Sequence, residues 1–447
     1  MGEMLESLVH LSAVEGAAGI RAGAFTSEAL VRACLDRCEV VEEAVQAWAT
    51  LDPDHAIAQA RQADEAHGAG IDLGPLHGVP VGLKDIIDTE DLPTENGTVL
   101  HAGRRPAQDA TVAALLRQAG AVILGKTVTT ELAAYHPGKT RNPHDPERTP
   151  GGSSSGSTAA VAAGMTPLSV GTQTNGSVIR PAAYCGVYGF KPTHGAISRH
   201  GVLRQSRILD HMGIFARCAE DLALLAEPLM AYDANDPDMR PRGARMIVAV
   251  AAQEPPVPPK LAFVKTPVWD EASPDTQAAF ENLAHGLGDA CEAVDLPPPF
   301  ENAVHWHRTI MCADIAKSFH SFHERDRDQL SDHLCTLIEE GRGITAVEYN
   351  RAVEHREDLN AGLDEVFQRY DAILTPAATG EAPLGLETTG NPIFSTTWTY
   401  CGTPAVTLPL LRGAAGLPLG VQLVAGRGDD GRLLRTARWL VQAVEEA

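Results

Sequence analysis

Apolar positions fall into short blocks whose spacing switches between a helical and a strand period. Thr26-Ser27-Glu28 precedes Leu30, Val31, Cys34 and Leu35, a three-to-four spacing that predicts a helix with a capped start. A second helix is predicted over Asp54 to Ala66. Gly74 to Leu83 (GPLHGVPVGL) reads as turns followed by a short apolar strand, with Lys84 and Asp85 directly after it. Asp109 to Ala119 predicts a helix stopped by Gly120. Ala121 to Leu124 then predicts a strand ended by Gly125-Lys126.

The pattern changes at Gly151 to Gly164, GGSSSGSTAAVAAG, whose front half is glycine and serine and whose back half is alanine-rich. A flexible linker would have that front half alone. The alanine run, and the strand-like Pro167 to Gly171 after it, predict a tight loop feeding a closely packed helix. Residues 230–260 form a predicted surface excursion, polar over Asp233 to Gly243 and stiffened by Pro255-Pro256-Val257-Pro258-Pro259. Leu261 to Val264 restarts a strand. Charged helices are predicted near Ser273 to Leu287 and Ala346 to Arg369, and buried strands at Ala372 to Leu374 and Gly420 to Val424. Helices alternating with short apolar strands predict an α/β fold, a mixed central sheet covered by helices on both faces. No internal repeat is present.

Composition narrows the class of protein. The 447 residues are 44% hydrophobic and 21% charged, the balance of a globular chain. A net charge of −22 argues against independent binding to a phosphate backbone. Met1 to His10 lacks a basic leader, and no run approaches the ~18 apolar residues of a membrane helix, so a soluble cytoplasmic protein is expected. The eight cysteines are scattered; Cys34 and Cys38 share a helix face, but no second pair completes a zinc site. His320-x-x-His323 has no supporting ligands and reads as helix surface, and no metal or other cofactor is expected.

The segment richest in chemistry is Gly171 to Gly186, GTQTNGSVIRPAAYCG. A strand end and a tight loop, Gln173 to Gly176, deliver Ser177, which reads as the cap of a short helix with Pro181 in its first turn. Backbone N–H groups there converge on one spot, and the helix terminus adds a field that favours negative charge. A plain capping serine would look the same. A nucleophilic serine needs a base. None of the seventeen histidines has a Gly-x-Ser-x-Gly setting. Lys84, at the end of an apolar strand, could serve if buried and neutral; an exposed strand-end lysine is the alternative.

Taken together, these segments resemble the amidase signature family. The likeness is carried by Gly78 to Asp85 (GVPVGLKD), Gly120 to Glu131 (GAVILGKTVTTE), Thr149 to Gly164 (TPGGSSSGSTAAVAAG) and Gly171 to Thr193 (GTQTNGSVIRPAAYCGVYGFKPT). It recurs at Leu209 to Gly213 (LDHMG) and Gly416 to Val424 (GLPLGVQLV), and so spans nearly the whole chain. It implies a single amidase domain over 1–447, with a helical region to about residue 70, a signature core to about 225 and a completing part from about 260. It implies an amidohydrolase acting on linear amides through an acyl-enzyme on Ser177, with Ser153 as proton relay after a cis peptide bond and Lys84 as base. The N–H groups of Thr174, Asn175, Gly176 and Ser177 would hold the oxyanion. The partner implied is a small amide substrate, without nucleic acid or membrane, and a homodimer is compatible with it. Within the family the rival is the component of glutamine-dependent amidotransferases that works on misacylated tRNA. Gln173 and the Ser-Val-Ile-Arg-Pro order look more like the stand-alone small-amide enzymes.

Two positions depart from the family pattern. Asn175 stands where glycine is usual; asparagine tolerates positive φ, so the loop is expected to keep its shape. Gln173 replaces a frequent aspartate. Gln173 and Arg180 are candidate substrate contacts, Arg180 as a fork for a carboxylate or else as a structural arginine. Tyr135, His136, Trp306, Trp398 and Tyr400 are candidate pocket walls or core. Gly120 to Thr127, GAVILGKT, matches the phosphate-loop pattern, which would make a nucleotide-binding protein the distant alternative. An apolar strand there would leave no N–H free for phosphate.

Overall fold

The computed structural model describes residues 7–71, 74–243 and 245–446. Its centre is an eleven-stranded sheet in the order β1-β3-β2-β4-β6-β5-β10-β11-β9-β7-β8. The strands are β1 (Trp48–Leu51), β2 (Pro80–Lys84), β3 (Val122–Thr127), β4 (Leu168–Gln173), β5 (Tyr188–Lys191), β6 (His211–Ala216), β7 (Leu261–Phe263), β8 (Cys291–Ala293), β9 (Ala372–Pro376), β10 (Ala405–Arg412) and β11 (Pro418–Val424). β2 runs parallel to β3 and β4, and β7 parallel to β8 and β9; the remaining pairs are antiparallel, so the sheet is mixed as expected.

Side-chain alternation explains why both faces are covered. Leu261 and Phe263 of β7, Leu374 of β9 and Val421 and Leu423 of β11 enter one hydrophobic cluster; Ala262, Ile373 and Val424 enter another on the opposite face. Each face therefore needs its own layer of helices. The Asp430–Glu445 helix contributes Leu433, Leu434, Ala437 and Leu440 to the first cluster, and the Ala303–Arg325 and Ala346–Phe367 helices contribute Ile310, Ile315, Leu359 and Leu363 to the second.

The N-terminal helices form as the apolar spacing predicts. Thr26 caps the Ser27–Val45 helix by accepting from the Ala29 N–H, a contact typically worth about 1 kcal/mol. Val31, Cys34, Leu35 and Cys38 then pack on Ala159 and Ala160 of the Ser155–Ala162 helix. That helix is glycine- and alanine-rich because it lies almost against backbone: a Cβ on Gly156 would sit 2.2 Å from the Ala47 carbonyl oxygen. The strand beginning near Ala121 differs from its predicted end. It runs through Gly125 and Lys126 to Thr127, because β2 and β1 pair with it along that length. Most of GAVILGKT, Val122–Thr127, is thus an interior strand paired on both sides, not an arc around a phosphate.

Parallel β2 and β4 finish at the same sheet edge, Leu83 lying opposite Val170. Lys84 ends β2 there, and the chain leaving β4 at Gln173 turns into the Ser177 loop, so the topology brings the two segments together.

Candidate active site

Lys84 is completely buried at the end of β2. Its Nζ lies 2.8 Å from Ser153 Oγ and 2.8 Å from Thr172 Oγ1. Burial holds its pKa well below the ordinary lysine range, and the Asp210 carboxylate offsets this only in part. An ammonium would donate to both hydroxyls; the neutral amine keeps a lone pair for one hydroxyl proton. Ser153 is buried and is joined to Gly152 by a cis peptide bond. Thr172, one residue before the end of β4, is a Lys84 partner that no sequence motif marks.

Ser177 lies in the turn after β4, partly exposed. Among the described residues its hydroxyl makes no hydrogen bond, leaving it available to a reactant. The cap of the following helix, Ile179–Cys185, is Val178 and not Ser177. The capping oxygen comes instead from Gln173, whose Oε1 accepts from the N–H groups of Val178 (2.7 Å) and Ile179 (3.0 Å). Its Nε2 donates to Thr399 Oγ1 at 2.8 Å, and the side chain is wholly buried. Gln173 thus holds the loop and the helix start together, its amide bonded to the helix start and to Thr399.

Among the described residues, the N–H groups of Asn175, Gly176 and Ser177 donate to no group of the protein. Three adjacent free donors in a fixed turn can receive an oxyanion. The fixing is extensive. Thr174 Oγ1 donates to Asp210 at 2.7 Å, and the His307 ring donates through Nε2 to the Thr174 carbonyl at 2.9 Å. Burial pushes the His307 pKa down to about 4, which keeps the ring neutral. Asn175 Nδ2 donates to the Tyr135 hydroxyl at 2.9 Å, while Asn175 Oδ1 accepts from Thr396 at 2.7 Å. Asn175 is not among the residues with positive φ, so its tolerance of that region is not what preserves the loop; the two side-chain bonds are. Gly176 is needed for close approach, since a Cβ there would lie 2.8 Å from Pro392. Asp210 also accepts from the Gln205 and Ser206 N–H groups, and burial raises its pKa to about 6.

Arg180 connects the two serine loops. Its Nη2 donates to the Gly152 carbonyl at 2.7 Å and to Thr389 Oγ1 at 3.0 Å. The side chain is buried, Nε and Nη1 have no hydrogen-bond partner, and no carboxylate pairs with it among the described residues. A cavity of about 580 Å³ adjoins this point, bounded by Tyr135, His136, Arg308, Thr389 and Pro392. Tyr135 and His136 are thus cavity walls. Trp398 and Tyr400 are buried core, and Trp306 stacks on His355 elsewhere.

Known proteins share this sequence pattern and fold. Residues 29–434 match the family model described as Amidase. AmiD of Mycobacterium tuberculosis, named as a putative amidase, is 34% identical across 96% of this chain and 93% of its own. A glutamyl-tRNA(Gln) amidotransferase component from Chloroflexus aurantiacus is 33% identical over 96% of both chains. Among solved structures, the peptide amidase of Stenotrophomonas maltophilia superposes with a TM-score of 0.85 at 27% identity, over 98% of this chain and 97% of that one. Among the described residues no helix is long and apolar enough to cross a membrane. Sequence motifs, sheet topology and these relatives agree that the chain belongs to the amidase signature family.

Proposed function

We propose that the protein hydrolyses the C–N bond of a small carboxamide through an acyl-enzyme on Ser177. The observation that carries this reading is the buried Lys84 amine, held at 2.8 Å from Ser153 Oγ and, among the described residues, in no ion pair with a carboxylate. Neutral Lys84 accepts the Ser153 proton, Ser153 accepts the Ser177 proton, and Ser177 Oγ attacks the carbonyl carbon. The carbonyl oxygen becomes an oxyanion facing the N–H groups of Asn175, Gly176 and Ser177. As the C–N bond breaks, Ser153 returns a proton to the leaving nitrogen. Water then attacks the acyl carbon by the same route, freeing a carboxylic acid and Ser177.

The fine specificity we propose is for an amide that also carries a carboxylate. A buried guanidinium with two unsatisfied nitrogens and no counter-charge is costly, and a substrate carboxylate would complete it. A second reading, a tRNA amidotransferase component using glutamine, is favoured by the Chloroflexus relative; it predicts turnover only in complex with partner proteins. A fluorophosphonate label on the purified chain tests the main reading. Adduct should form on Ser177 and vanish in Ser177→Ala, and adduct surviving in that variant would refute it. In an amide panel, Arg180→Ala should raise KM for acidic amides at least about tenfold more than for neutral ones.

A further inference from the structure

A second cavity, of about 560 Å³, lies apart from the catalytic residues and is lined by five arginines, Arg240, Arg242, Arg245, Arg356 and Arg427. They converge from separate parts of the chain: positions 240, 242 and 245, the Ala346–Phe367 helix, and the loop that enters the Asp430–Glu445 helix. Acids of the chain satisfy some of these guanidiniums and not others. Two of the five have one: Arg245 pairs with Asp430 at 2.8 Å, and Arg427 with Glu357 at 3.3 Å. Asp238, the other acid at the wall, pairs with Arg199 and Arg207. Arg240, Arg242 and Arg356 have no ion pair among the described residues.

Arg356 is the most constrained of these. Its Nε is buried without a hydrogen-bond partner, and a Cβ on Gly402 would lie 2.2 Å from its Nη2. Burial holds its pKa below the usual arginine range, so the site disfavours the isolated cation. His194, also at the wall, is kept neutral, its pKa pushed down to about 3 by burial. Pocket volumes of roughly 300–1,000 Å³ are usual for small-molecule sites. Guanidinium forks arriving from several directions suit an anion with several oxygens better than a single carboxylate.

We infer that this cavity binds a compact oxyanion bearing two or more negative charges, at a site separate from the amide-cleaving centre. The chemistry is shared by phosphoryl groups and small polycarboxylates. Calorimetric titration of the full chain with pyrophosphate, and separately with citrate, at about 0.1 M salt tests it. One-to-one saturable binding of pyrophosphate alone assigns the phosphoryl class, and of citrate alone the polycarboxylate class. Arg356→Gln should weaken that binding about tenfold or more. The double variant Arg240→Glu/Arg242→Glu should do the same; both positions are exposed, so it keeps the test open if Arg356→Gln does not fold. Ser177→Ala should bind like the unaltered protein. Absence of saturable binding of both anions would overturn the inference. So would binding left unchanged by the double variant, or weakened equally by Arg308→Gln in the other cavity.

Discussion

Two buried lysines stand side by side in the sheet and have opposite surroundings. Lys126 of β3 lies opposite Leu83, the residue before Lys84 in β2, and neither lysine has measurable exposure. Lys126 Nζ donates to the Ile87 carbonyl at 2.7 Å and to Thr94 Oγ1 at 2.6 Å, and lies 3.6 Å from Asp85. Burial lowers its pKa only to about 8, because Asp85 works against the desolvation. Lys84 meets two hydroxyls and only the more remote influence of Asp210, and its pKa falls much further. Burial alone therefore does not make a lysine a base. A compensating carboxylate keeps one cationic and structural, whereas neutral hydroxyls leave the other able to take a proton.

The largest expected effect separates the two in activity. Lys84→Met should lower kcat/KM by about 10³-fold or more, and Ser153→Ala by about 10²- to 10⁴-fold, the usual range for losing a positioned proton carrier. Lys126→Met should leave kcat within a few-fold for the molecules that fold; amide hydrolysis normalised to intact enzyme checks this. Equal losses for the two lysines would break the comparison. Next in size is stability. Lys126→Met leaves Asp85 buried without its partner and should cost about 3–5 kcal/mol in denaturant unfolding. Adding Asp85→Asn should recover part of it.

The smallest effect is a pH slope. Lys126 has a folded pKa of about 8 against about 10.4 when unfolded, so between those values the unfolded chain binds the extra proton. Its contribution to stability therefore rises with pH across that window, by about 3 kcal/mol in total, and is constant below it. Unfolding free energies from about pH 8 to about pH 10.5 should show this rise in the unaltered protein relative to Lys126→Met.

The helix and strand periods of the core, and the positions of Lys84, Ser153 and Ser177, were legible in the sequence because each is local: a short apolar strand, a glycine-serine loop, a turn after a strand. The supports were not legible. Thr396 and Thr399 reach Asn175 across more than 200 residues of sequence, and His307 reaches the Thr174 carbonyl across 133. Only sheet closure and packing of the second helical layer create such contacts. The part Gln173 plays in the loop is hidden for the same reason, since only the fold shows that its amide caps the helix behind Ser177. The chain's acidity likewise hides the arginine-lined cavity, whose members come from three separate segments of the chain.

The central claim is that Lys84 works as a neutral base, and the rate of amide hydrolysis by Lys84→Arg, measured beside the unaltered enzyme across pH, tests it most directly. A guanidinium keeps the charge and the reach but stays protonated. The account predicts that kcat/KM of the unaltered enzyme rises with pH through the lowered Lys84 pKa and then levels off, while Lys84→Arg remains about 10³-fold or more below it at every pH. Near-normal turnover by Lys84→Arg would contradict the account, and would show that position 84 supplies positive charge rather than a proton acceptor.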